Sequence, residues 1–153
     1  MANEKAIYKE IERGKVLVIE VEADTRNALL ASATIAVSQI MAQQDNVKAA
    51  ERKEIEIIDD TDVEMMQDVL SAALNVFRSG FIWRDAEVEE RGGPVVVFLS
   101  GEQYDPDRHA LLTEIKDTQE HQLVVENKDG KWRTRITFDI AAKDDGDASG
   151  NLA

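Results

Sequence analysis

A chain of 153 residues with 18 basic and 31 acidic side chains carries a formal net charge of −13, and 43% of its residues are hydrophobic. That length suits one domain with an unstapled core, and the apolar share excludes a disordered chain while the 32% of charged residues argues against a membrane protein. The acid excess argues against an open basic surface for nucleic acid, and the lack of cysteine excludes disulfides, thiolate zinc sites and a cysteine nucleophile.

The segment 4–13 is charged, with a small apolar stripe of Ile7, Tyr8 and Ile11, and reads as a short helix stopped near Gly14. The β-branched run from Lys15 to Glu22 favours a strand, with continued helix as the alternative. Asp24-Thr25 then looks like a helix cap. Residues 27–44 hold no charged side chain, yet Ser32, Thr34, Ser38, Gln39, Gln43 and Gln44 make them too polar to span a bilayer. A helix with Leu29, Leu30, Ala33, Val37, Ile40 and Met41 on its main face is expected. Ala28, Ser32 and Ala36 line one side at four-residue spacing, which permits close packing either within the chain or against a neighbouring subunit.

After a polar stretch, 45–54, Glu54-Ile55-Glu56-Ile57-Ile58 reads as a short strand, and Thr61 with Glu64 fits a capping box. Val63, Met66, Leu70, Ala73, Leu74 and Phe77 recur at helical spacing up to a stop near Gly80. Phe81-Ile82-Trp83 opens an extended region, Arg91–Pro94 is a turn, and Val95–Leu99 is an apolar strand suited to the centre of a sheet. Asp105-Pro106 signals a helix start, with Leu111, Leu112 and Ile115 on that helix. Leu123–Val125 is a strand or an extension of the helix; the hairpin signal Asp129-Gly130 favours the strand. Ile136, Phe138 and Ile140 then alternate with polar residues as a half-buried strand. Residues 1–142 are thus expected to form one α+β domain, three to four helices packed on a mainly antiparallel sheet of about four to five strands. Residues 143–153 form an acidic, flexible tail, expected to dock on a partner when assembled. Leu70, Leu74, Phe77, Val97, Leu99, Ile136 and Phe138 are the expected core.

Candidate chemistry is sparse. His109 has Asp105, Asp107 and Glu114 near it in sequence, which allows a histidine–carboxylate pair, but the acids are equally explained as helix-start residues. If one helix holds both, His121 is too far along it to join His109 on a metal; with a hairpin between them, the sequence leaves their separation open. Asp59, Asp60 and Asp62 lack the glycine and distal glutamate of a calcium loop, and the partial match at Asp145, Asp147, Ser149 and Gly150 runs out before its twelfth position. No phosphate loop or hydrolase elbow occurs. No catalytic residue, metal or cofactor is expected. Trp83 and Trp132, core residues or interface anchors, join Ala28, Ser32, Ala36 and Leu152 as candidate interface positions.

The layout across 24–83 — helix, polar linker, Ile55-Glu56-Ile57-Ile58, the acidic Asp59–Asp62 and the long helix from Val63 to Phe77 — resembles the head–tail connector (neck adaptor) proteins of tailed phages. That resemblance implies a non-enzymatic ring subunit of the virion, made in the host cytoplasm, with other copies and neighbouring assembly proteins as partners. The sheet-rich half from Val95 to Ile140 departs from the simplest adaptors. Neither sequence-specific nucleic-acid binding nor a membrane is expected. Two rivals are an acidic inhibitor or immunity-type protein for a basic nuclease or DNA-binding protein, and an enzyme built on His109. The N-terminal Met1–Lys5 has no signal-peptide core, so a non-viral version is expected in the cytoplasm.

Overall fold

A computed structural model describes residues 7–141, in which eight strands form two antiparallel sheets with two α-helices between them. The strands are β1 (Lys9–Arg13), β2 (Val16–Ala23), β3 (Glu51–Ile57), β4 (Phe81–Glu90), β5 (Val95–Gln103), β6 (Ile115–Thr118), β7 (Val124–Lys128) and β8 (Lys131–Ile140). The helices are α1 (Arg26–Met41) and α2 (Asp62–Arg78). One sheet runs β1-β2-β8, with β6 and β7 sharing the far edge of β8; the other is β3-β5-β4. Helix α1 packs on β4, β2, β8 and α2, and α2 on β3, β4, β6 and β7, so the helices are a middle layer.

This architecture corrects the expected three to four helices on one sheet of four to five strands. Two of the expected helices are absent. Residues 9–13 are instead β1, exposed throughout and paired with β2 across the Gly14 turn; Ile7, Tyr8 and Ile11 are too few apolar residues to hold a helix on the core. The Asp105-Pro106 start yields a single turn, closed by Arg108 and His109 N–H groups donating to the Asp105 carbonyl. The chain then runs extended because backbone groups at the end of α1 capture it. Leu112 N–H donates to Met41 O, Thr113 N–H to Ile40 O, and Gln43 N–H to Ala110 O. Leu111 and Leu112 consequently point to solvent.

Other expectations fit the observed elements. Thr25 caps α1 and Thr61 caps α2, each hydroxyl accepting from the amide three residues on. Gly80 ends α2 with φ +101°. Asp129 and Gly130, at φ 54° and 78°, turn β7 into β8. Strand β7 settles 124–128 as strand, whereas β3 starts at Glu51, four residues before its first buried side chain, Ile55. Six of the seven expected core residues are buried; Phe77 is half-buried against the same core.

The middle-layer position explains why α1 carries no charged residue after Arg26. Nine of its residues are buried, polar Thr34 and Ser38 among them. Thr34 Oγ1 donates to Leu30 O at 2.7 Å, and Ser38 Oγ donates to Trp83 O at 2.7 Å. Charges on such a helix would be stranded without water.

Candidate functional site

Strand β5 is buried on both faces. Val95, Val97 and Leu99 point to the helices; Val96 and Phe98 point outward. At its far end, the ladder of β4 and β5 shifts register between Trp83 and Asp85. Gly101 sits under this bulge: a Cβ there would lie 1.9 Å from Ile82 O, so the close strand approach demands glycine. Ile82 thereby turns away from the helices to pack with Ala42 and Val47, beneath the loops 42–50 and 104–114.

Glu102 fastens those loops. Its carboxylate accepts from Arg108 Nη2 at 2.6 Å, from Lys48 N–H at 2.8 Å and from His109 Nε2 at 2.9 Å. His109 Nδ1 accepts from Asp105 N–H at 2.8 Å, which leaves the ring proton on Nε2, facing Glu102. The Arg108 hydrogen bond, then those from Lys48 and His109, hold the Glu102 carboxyl down to about 2 despite burial. A groove of about 610 Å³ opens beside the clamp, lined by Val47, Lys48, Arg84 and Arg108 among others. Two of its cations serve the fold: Arg84 donates to Val47 O, and Arg108 to Glu102 and Asn46 O.

Reactive chemistry is a poor use for this constellation. The His109 side chain is fully buried, stacked on Tyr104 at 5.9 Å, with both ring nitrogens engaged. The pairing expected with Asp105, Asp107 or Glu114 is replaced by Glu102, which sequence reading missed. Its signal was the separation Glu102–His109 across the Asp105-Pro106 turn, which brings a strand end and a post-turn histidine together.

The outer faces of the two sheets differ in charge. On the five-stranded sheet, acids alternate with bases across the ladder. Glu20 lies 3.4 Å from Arg135, Glu22 2.9 Å from Arg133, Glu126 3.7 Å from Arg133, and Asp24 2.9 Å from Lys131. On the three-stranded sheet, register places Glu54 and Glu87 beside Phe98, Glu56 and Glu89 beside Val96, and Asp85 beside Ser100. All five acids are exposed. Glu89 lies 3.6 Å from Arg91; among the described residues Glu54, Glu56 and Glu87 have no ion pair. Arg52 and Arg91 sit over the Phe98 ring, 4.0 and 5.5 Å from its centroid.

The five candidate interface positions among the described residues do not form one exposed surface. Ala36 is buried under the chain's own sheets, Ser32 is half-buried and Ala28 exposed. Trp83 is fully buried, donating Nε1–H to Thr34 O at 2.9 Å and meeting Phe77 edge-on. Trp132 is half-buried at the far end of β8. Leu152, the expected docking of the acidic tail and the partial calcium-loop match lie outside the described residues. The cap of α2 is Thr61 rather than Asp59, Asp60 or Asp62, and these acids form no metal-ligating cluster among the described residues. No helix there is long and apolar enough to cross a membrane.

Fold and site together define a three-layer β/α/β domain whose buried charges serve its framework and whose unpaired charges lie outside. Comparison with known proteins gives the family: the chain matches the model of the archease protein family (MTH1598/TM1083) over residues 8–140, and it belongs to that family. It is 34% identical over 140 residues to an archease of Methanopyrus kandleri, covering 87% of this chain and 99% of that protein. It is 25% identical to an archease of Methanosarcina mazei, covering 87% and 95%. The solution structure of protein 1598 of Methanobacterium thermoautotrophicum superposes with a TM-score of 0.73 at 17% identity, covering 88% of this chain and 99% of that one. The crystal structure of a Thermotoga maritima archease, described as a possible chaperone, gives 0.59 at 19%, covering 86% and 95%.

Family membership overturns the phage-connector resemblance, and with it the virion subunit and the virion location, since these relatives come from cellular archaea and a bacterium. It equally removes the acidic inhibitor or immunity protein. The resemblance had rested on a helix–linker–helix layout that a three-layer domain also produces when its edge strand β3 is read as a linker.

Proposed function

We propose that this chain is a non-catalytic, chaperone-type protein that acts on an RNA-processing client, in the class of RNA ligases and tRNA-processing enzymes. The observation that carries the reading is family membership across nearly the whole domain, together with the chaperone description of the Thermotoga relative. Two features of the chain support it. The one histidine–carboxylate pair among the described residues that is buried as a unit is consumed by the clamp. The net charge of −13 suits an enzyme whose own RNA-binding surface is rich in Lys and Arg, because such a surface attracts a polyanion. The test is the turnover of a purified RNA-processing enzyme from the same organism with and without an equimolar amount of the chain. A rise in the enzyme's active fraction, with no product formed by the chain alone, is expected. Product formed by the chain alone, or an unaltered client, would overturn the reading.

A further inference from the structure

We infer that the outer face of the β3-β5-β4 sheet is the docking surface for a cationic amphipathic helix of the client. This rests on the client-binding reading above and assigns the contact that reading needs. Three observations carry it. The first is asymmetry: at the centre of the five-stranded sheet Glu20, Glu22 and Glu126 are paired with Arg133 and Arg135, leaving Glu12, Asp117 and Asp139 unpaired toward its edges and ends, whereas Glu54, Glu56 and Glu87, in the two rows flanking the central strand of the other sheet, have no ion pair among the described residues. The second is an apolar floor, Val96 and Phe98, running between the two acidic rows and only 1% and 4% exposed beneath the side chains around it, so that an occupant reaches it by displacing them. Its movable cover is the side chains of Arg52 and Arg91, both exposed and both seated on Phe98 rather than against the acids of β3.

The third is dimension. Neighbouring strands lie about 4.8 Å apart, so the Glu54/Glu56 row and the Asp85/Glu87/Glu89 row stand about 10 Å from each other across β5. That is about the diameter of one α-helix. Outward residues repeat about every 6.8 Å along a strand, and helix residues four apart rise about 6 Å. A helix lying along β5 can therefore set an apolar stripe on Val96 and Phe98 and match a base at i and i+4 on each flank to successive carboxylates. A bound extended strand presents one row of side chains to the face and reaches only one of the acidic rows.

The test uses the whole chain and two synthetic 14-residue peptides of identical composition. One arranges leucines in a helical stripe flanked on each side by lysines at four-residue spacing; the other scrambles the order. Binding of the ordered peptide about tenfold tighter than the scrambled one is expected, with amide NMR shifts confined to β3, β4 and β5. The quadruple variant Glu54→Gln, Glu56→Gln, Glu87→Gln, Glu89→Gln should lose at least that factor and flatten the salt dependence. The double variant Glu20→Gln, Glu22→Gln should bind as the unaltered chain does. Equal binding of both peptides, shifts centred elsewhere, or an equal loss in the double variant would overturn the assignment. Mapped peptide binding without any effect on a client overturns the chaperone reading and leaves the surface. Full help to the client from the quadruple variant does the reverse.

Discussion

Gly101 and Glu102 are adjacent, and each does what its neighbour could not. A Cβ at 101 would drive into the Ile82 carbonyl and the Trp83 backbone, so Gly101→Ala should separate β4 from β5 and leave little folded protein, read as lost thermal cooperativity. Glu102→Gln keeps the shape and removes the charge that Arg108, Lys48 and His109 converge on; a loss of about 1.5–3 kcal/mol in urea unfolding is expected. The held-down Glu102 carboxyl binds its proton less tightly in the folded than in the unfolded chain. Its contribution is therefore present above the ordinary glutamate range and lost as pH falls toward about 2. Asp59 has the opposite sign. Its hydrogen bond with the Asp68 carboxyl, then burial and the acids around it, raise it to about 6. The folded chain thus holds a proton that the unfolded chain gives up, and stability falls as pH rises from about 4 to 6. Asp59→Asn should raise the melting temperature at pH 7.5 and abolish that slope; an unaltered slope would remove the pair as its source. None of these roles was legible residue by residue, because each depends on a partner brought from another strand, loop or helix.

At the scale of elements, α2 illustrates what sequence can carry. Its apolar residues recur at helical spacing because one face meets the core, and Met66, Leu70 and Leu74 are all buried. Leu74→Ala should cost about 2–5 kcal/mol, since the two flanking sheets limit collapse into the cavity; a negligible loss in denaturant unfolding would place Leu74 outside the core. Helix α1 was legible in extent but not in setting: a helix buried on nearly every side between two sheets has no amphipathic stripe to read. The failures have a common cause in edges. Strand β1 and the first half of β3 are edge strands with charged side chains, held by ladder hydrogen bonds to β2 and β5 rather than by burial. Their sequences thus lack the alternation that marks a half-buried strand. The turn at Asp105-Pro106 carried a true local signal for helix initiation, overridden when α1's terminal carbonyls recruited the following backbone.

For the molecule as a whole, composition pointed to a protein that works through other macromolecules, and the distribution of charge gives that a direction. Acid is neutralised at Glu102 inside and at Glu20 and Glu22 in the centre of the five-stranded sheet, and left unpaired at Glu54, Glu56 and Glu87 on the three-stranded sheet, on the face away from the helices. Because that acid repels itself, the quadruple glutamine variant should melt at or slightly above the temperature of the unaltered chain while losing peptide binding, which separates a docking role from a folding role. A chaperone that is released after acting does not require one copy per client, and the proposed role takes this form. The most direct measurement is product formation by an RNA-processing client with the chain supplied at about one-tenth of the client's concentration. The account predicts that product rises severalfold over the client alone and continues to accumulate as the chain is reused. Product that stays at the level of the client alone, at this and every higher ratio, would contradict it.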